Sequence, residues 1–181
     1  GIPTGFPAGS ASRTVMILIT NYVANGSGWN MPFTYGNTGV NNKEFDVVIQ
    51  ESSYGLSVHG WGQYYYTTTY LTASTPQIIT IDYDLARGST NDLEDDIFIY
   101  LDNKKLARDS GSNGPLQTDT LQLNIGSDYN GAFAINADLA EIILFDKILT
   151  KSERINIHYY MSKKWGIGEI MDSDGDGMVD N

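Results

Sequence analysis

Apolar residues fall along this chain in strand-sized blocks separated by turn residues. Thr14–Thr20 (TVMILIT) is a continuous apolar run with polar ends, the pattern of a strand buried on both faces. Asn25 to Asn42 is rich in Gly and Asn, with Trp29, Phe33 and Tyr35 among them, and reads as a long loop or a set of short hairpins. Glu44–Gln50 and Gly55–His59 read as strands around a Ser52-Ser53-Tyr54-Gly55 turn. A polar-aromatic stretch, Trp61 to Tyr70, leads into a strand over Gln77–Tyr83. Arg87–Asp92 is a turn, Ile97–Leu101 a strand, and Asp102-Asn103 a hairpin tip into Lys104–Arg108. Asp109–Pro115 reads as a loop. Leu121, Leu123 and Ile125 alternate with Gln122 and Asn124, as in a half-buried strand, and Phe133–Phe145 holds the last strand or strands. Short strands with turn signals roughly every 8–12 residues predict an all-β, two-sheet antiparallel β-sandwich.

One segment breaks the pattern. Thr150-Lys151-Ser152-Glu153 is a capping box, in which the Thr hydroxyl accepts from the Glu backbone N–H and the Glu carboxylate reaches back. Ile155, His158, Tyr159 and Ser162 share one helical face, and Arg154, Ile157, Met161 and Trp165 the adjacent one. Gly166 stands where a C-terminal stop belongs. A single short helix over Lys151–Lys164, packed on the sandwich, is the expectation.

Charge narrows the partners. The chain has 22 acidic and 11 basic residues, a formal net charge of −11. Such a protein repels phosphate backbones, so nucleic acid and anionic membranes are poor partners, while calcium and neutral glycans suit it. No apolar run approaches the about 20 residues of a membrane span. Cysteine is absent, which excludes disulfides, thiol catalysis and Cys-based metal sites.

Three stretches stand out together: Ser12-Arg13-Thr14 entering a buried strand, Ile97–Leu101 with its tight turn into Lys105-Leu106, and above all the closing residues. These run Asp138-Leu139-Ala140-Glu141-Ile142-Ile143-Leu144-Phe145, then Leu149, the capped helix and Lys164-Trp165-Gly166. They resemble the laminin-G-like, concanavalin A-like jelly rolls of secreted and surface proteins, and the resemblance covers Ile2 to Gly168. It implies a jelly-roll domain over residues 1–168, within a larger extracellular or cell-surface protein, that binds glycans or other proteins without catalysis.

Residues 169–181 carry a different chemistry. Asp172, Asp174 and Asp176 stand at places 1, 3 and 5 of an oxygen-ligand loop, with Gly177 at place 6 for the sharp turn. Met178 would offer its carbonyl and Asp180 the ninth place, and the twelfth falls past Asn181. The segment resembles the start of a thrombospondin type-3-like calcium repeat, and a dockerin loop opens with the same spacing. The plain alternative is an acidic linker.

Trp61, Tyr64, Tyr65 and Tyr66, with Trp29 and Tyr35 in the Gly/Asn-rich segment, are the ligand-binding candidates, because aromatic faces stack on sugars; the alternative for each is core packing or loop anchoring. The acidic run Asn91–Asp96 is a solvated turn or a second calcium site. Catalysis is not expected. Glucanases of this fold class place carboxyls about 5–5.5 Å apart in a Glu-x-Asp-x-x-Glu pattern, which this sequence lacks. Asp82/Asp84 and Glu94/Asp96 have i, i+2 spacing but read as solvated or calcium-linked carboxylates at strand ends. Glu141 needs a cationic partner such as Arg13 or Lys164. His158 reads as a packed, hydrogen-bonded residue, and His59 as a possible liner of a site without a nucleophile. The leading function is a glycan- or protein-binding adhesion module. The alternatives are a structural subunit or spacer of an extracellular appendage, and a glycoside hydrolase of the glucanase type.

Overall fold

The computed structural model describes residues 2–24, 26, 28–51, 54–86, 96–111 and 114–167. Its strands in chain order are β1 (Arg13–Thr20), β2 (Trp29–Gly36), β3 (Glu44–Gln50), β4 (Leu56–His59), β5 (Tyr64–Thr67), β6 (Gln77–Tyr83), β7 (Ile97–Leu101), β8 (Lys104–Lys105), β9 (Arg108–Gly111), β10 (Gln122–Ile125) and β11 (Asp138–Phe145). The helix α1 follows at Lys151–Trp165. A five-stranded sheet runs β11-β1-β6-β7-β8 and a six-stranded sheet runs β10-β2-β3-β4-β5-β9. Every pairing is antiparallel, as expected of an all-β sandwich.

The unbroken apolar run of β1 has a direct cause. Val15, Ile17 and Ile19 enter the core between the sheets, whereas Met16 and Leu18 belong to a second cluster with Ile78, Leu149 and Met161 beneath the helix. A strand covered on both faces has no solvent side to mark with polar residues. The helix is closed by the expected box. Thr150 Oγ1 accepts from Glu153 N at 3.2 Å, and the Glu153 carboxylate accepts from Thr150 N at 2.9 Å. Gly166 adopts the left-handed conformation at φ 67° and donates to the Ser162 carbonyl. The buried helix residues are Arg154, His158, Met161 and Ser162, drawn from both predicted stripes, while Tyr159 and Trp165 are exposed. His158 meets the Thr80 hydroxyl at 3.1 Å, in the packed role its position suggests.

Arg13 lies fully buried among the rings of Tyr35, Phe45 and Tyr83. Its guanidinium donates to the Tyr35 hydroxyl, to Thr118 Oγ1 at 3.0 Å and to the carbonyls of Gly9 and Ala11. Glu141 finds the other proposed partner, Lys164, at 2.8 Å, and accepts from Trp165 Nε1 and the Tyr160 hydroxyl as well.

Several expectations are corrected. Of the two readings of Asn25–Asn42, the long loop is wrong and the hairpin nearer: Trp29–Gly36 is one eight-residue strand, β2, held between β3 and β10. Residues 109–111, read as the start of a loop, belong with Arg108 to the edge strand β9. Asp82 is not solvated; it is fully buried and accepts from the Thr14 hydroxyl at 2.7 Å. Asp96 is likewise buried, while Glu94 and the rest of the Asn91–Asp95 run lie outside the described residues. Asp84 caps its turn, accepting from Ser12 Oγ at 2.8 Å and Ala86 N at 3.2 Å.

Candidate functional site

Side chains alternate across a strand, so burying Phe45, Val47 and Ile49 of β3 between the sheets turns Glu44, Asp46 and Val48 to the outer face of the six-stranded sheet. The same rule turns out Thr34 of β2, His59 of β4, and Tyr64 and Tyr66 of β5. Strand register lines these residues up. Asn124, Thr34, Asp46, His59 and Tyr64 are successive cross-strand neighbours over β10, β2, β3, β4 and β5. A row of polar groups on an outer face is ordinarily wet. Here Thr34, Glu44, Asp46 and His59 are all buried, because loops and aromatic side chains close over them.

The cover is a cleft of about 240 Å³ lined by Trp29, Met31, Trp61, Tyr64 and Phe133, with Glu44, Asp46 and His59 as its floor. The His59 ring is gripped edge-on by Trp29 at 4.6 Å, Tyr64 at 4.8 Å and Tyr66 at 5.2 Å between centroids. Tyr66 stacks in turn on Tyr64 and on Tyr54. Trp61 and Phe133 form the rim and remain 47% and 40% exposed. Both have left-handed backbones, φ 47° and 54°, a conformation that costs a bulky residue energy and gathers at functional sites. Trp61 sits in the Gly60–Gln63 turn joining β4 to β5. At Gly60 a Cβ would come within 2.1 Å of Leu116 Cδ2, so any larger residue there must displace that side chain.

The floor is electrostatically unusual. Glu44 and Asp46 are 1% exposed and His59 3% exposed. Burial drives the Asp46 carboxyl well above the ordinary carboxylate range, and the charges of Glu44 and Asp128 add to the effect. Glu44 is raised too, first by burial, with its hydrogen bond to Asp46 and then those from Thr38 and the Gly39 backbone working against the shift. Burial lowers His59 to about 3. Oε2 of Glu44, Oδ1 of Asp46 and Nε2 of His59 have no hydrogen-bond partner among the described residues, while the Thr34 hydroxyl beside Asp46 opposes the rise of its carboxyl. Two carboxylates cannot satisfy each other, since both only accept; a proton held between them supplies the missing donor. The floor is therefore an acid pair beside a neutral imidazole.

Of the six ligand candidates named from sequence, the structure brings Trp29, Trp61 and Tyr64 to this cleft and sets Tyr66 behind Tyr64. Tyr65 and Tyr35 are corrected: both point between the sheets, at 2% and 0% exposure, out of a ligand's reach. Tyr35 is instead the partner of Arg13. Sequence reading passed over Glu44, Asp46 and Phe133. The first two were legible as Glu-x-Asp, the opening of the glucanase pattern, but Ile49 fills its third carboxyl place and points into the core. Phe133 carried no signal. The calcium candidates Asp172, Asp174, Asp176, Met178 and Asp180 lie outside the described residues. Among the described residues no group of three or more His, Asp or Glu is placed to hold a metal ion.

No family model matches the chain, and no curated protein does. Solved structures do. A candidate carbohydrate-binding protein from Bacteroides ovatus aligns with a TM-score of 0.60 at 21% identity, over 84% of this chain and 42% of that one. The CBM40 of the Ruminococcus gnavus IT-sialidase, bound to α2,3 sialyllactose, aligns at 0.56 and 10% identity over 83% and 84% of the two chains. A SAP-like pentraxin from Limulus polyphemus aligns at 0.51 and 10% identity over 79% and 67%. This chain thus spans less than half the Bacteroides ovatus protein. At these identities the likeness is one of fold.

Proposed function

We propose that this chain is a glycan-binding module of an extracellular or cell-surface protein, and that the cleft above Glu44, Asp46 and His59 receives a sugar. The observation that carries the reading is the rim. Two exposed aromatics, Trp61 and Phe133, are held in a costly backbone conformation over a floor of unpartnered polar atoms. Aromatic faces cover the C–H face of a sugar ring, and the unpartnered atoms offer hydrogen bonds to its substituents. Sugar-binding neighbours in fold space support the same reading.

The module is read as non-catalytic. A retaining glycosidase needs carboxyls on either side of the scissile bond, about 5–5.5 Å apart. Glu44 and Asp46 share one strand face at the floor, and the other lining residues bring no third carboxyl opposite them. The closing Ala140-Glu141-Ile142 strand, capped helix and Lys164-Trp165-Gly166 support a laminin-G-like module within a multidomain protein. Residues 169–181, with Asp172, Asp174 and Asp176, support an attached calcium-binding repeat.

A glycan array followed by titration calorimetry tests the cleft. Trp29→Ala and Trp61→Ala should each weaken the best glycan about thirty-fold, near 2 kcal/mol for a central aromatic anchor. Tyr159→Ala, on the far helix, should not. Unchanged binding in both tryptophan variants would move the site elsewhere.

A further inference from the structure

The cleft's charge points to the kind of sugar it holds. Its lining contains two carboxyls, one imidazole that burial keeps neutral, and one phenol, with no lysine or arginine. Asp128, buried nearby, adds negative potential felt by both Glu44 and Asp46. The walls are Trp29, Trp61, Tyr64 and Phe133, whose ring faces are the negative ends of their quadrupoles. Asp46, at 1% exposure, lines the cleft with Oδ1 lacking a donor, and Glu44 Oε2 is in the same position.

We infer that this cleft selects a sugar carrying a free, protonated amine, with the ammonium set against the Glu44–Asp46 pair and the ring covered by the aromatic walls. This rests on the glycan-binding reading and deepens it. An ammonium brings three donors and no acceptor, which suits a floor whose orphan carboxyl oxygens can only accept. One proton shared by the pair leaves it a single negative charge, which the ligand's positive charge neutralises in a water-poor site. Aromatic walls attract a cation further. An N-acetylated amine offers one N–H and no charge. An anionic sugar would set its own carboxylate against the pair.

The test is calorimetric titration of the whole chain, at about pH 6.5 and low salt, with glucosamine oligomers, N-acetylglucosamine oligomers of equal length, glucose oligomers and sialyllactose. The expected result is glucosamine binding about tenfold or more tighter than either neutral series, the size of a desolvated cation–π and charge contact, with sialyllactose weakest. An acidic protein attracts any polycation, so the near-isosteric pair Glu44→Gln and Asp46→Asn is decisive: glucosamine and neutral oligomers should bind this variant with equal affinity, whatever the change in each, with its fold checked by circular dichroism. Equal or tighter binding of a neutral series, or a preference surviving in the double variant, overturns the amine assignment and leaves the glycan reading standing. No binding of any glycan overturns both.

Discussion

Asp46 and His59 stand directly opposite each other across β3 and β4, yet they do not form an ion pair. His59 Nε2 and Asp46 Oδ1 both lack a hydrogen-bond partner among the described residues. An acid and an imidazole this close would ordinarily exchange a proton and attract. Burial reverses that outcome: stripping water from both charges costs more than their attraction returns, so the proton stays on the acid side. The lowered imidazole and the raised carboxyl are two views of one desolvated floor. Apolar residues would make such a floor more stable, and it is the cleft above it that is proposed to receive a sugar.

Removing the acid pair's charge should therefore stabilise the fold. A carboxyl whose folded pKa is raised binds its proton more tightly in the folded state. Its contribution is complete below the ordinary carboxylate pKa and is lost as pH rises through the folded value. Glu44→Gln with Asp46→Asn should raise the Tm at pH 8, by an amount equivalent to about 1–3 kcal/mol, and change it little at pH 5. Thermal melts at the two pH values check this. A lower Tm at pH 8 would mean that the native pair is charged and well solvated.

The fold was legible where one physical signal dominated. The two-faced burial of β1 wrote an unbroken apolar run, and Thr150 with Glu153 wrote the start of the helix. β2 was hidden because Asn30, Pro32 and Gly36 are poor strand residues; pairing with β3 and β10 overrides their preference. The site was half legible. Period-two alternation separates Tyr64 and Tyr66 from Tyr65, but not which side meets the core. Glu44 and Asp46 fall within the strand read over Glu44–Gln50, with nothing local to mark them as buried. Phe133 in the cleft wall and the Asp128 charge that acts on the pair lie some 80 residues away in sequence, and only tertiary structure brings those segments together.

His158 should make the fold sensitive to acid. Burial between α1 and β6, with Arg154 nearby, lowers its pKa to about 4, while Thr80 is its hydrogen-bond partner. The unfolded chain, with an ordinary histidine near 6.5, binds more protons between these values. Stability is therefore full above about pH 6.5 and falls as pH drops towards 4, by roughly 3 kcal/mol from this residue. The acid pair works in the opposite sense, so the residues must be separated by substitution. Urea unfolding of His158→Gln should show a shallower loss between pH 7 and pH 4 than the parent chain. Parallel curves would place the acid sensitivity elsewhere, His59 first.

The acidic tail gives the last prediction. Asp172, Asp174 and Asp176 place three carboxylates at alternating positions before Gly177, and no basic residue lies between them. Their mutual repulsion is relieved when a divalent ion gathers their oxygens, with the Met178 carbonyl and Asp180 completing part of the shell. In a chain extended past Asn181 to supply the twelfth place, millimolar calcium should protect residues 169–181 from limited proteolysis. Magnesium, which demands a smaller octahedral shell, should protect less. Asp172→Ala with Asp176→Ala should remove the protection without shifting the Tm of the sandwich, because the capped helix and its contacts with β1, β6 and β11 already close that face. Digestion at the same rate with and without calcium would reduce the segment to an acidic linker. A Tm shift in the Asp172/Asp176 variant would instead mean that the tail packs as part of the domain.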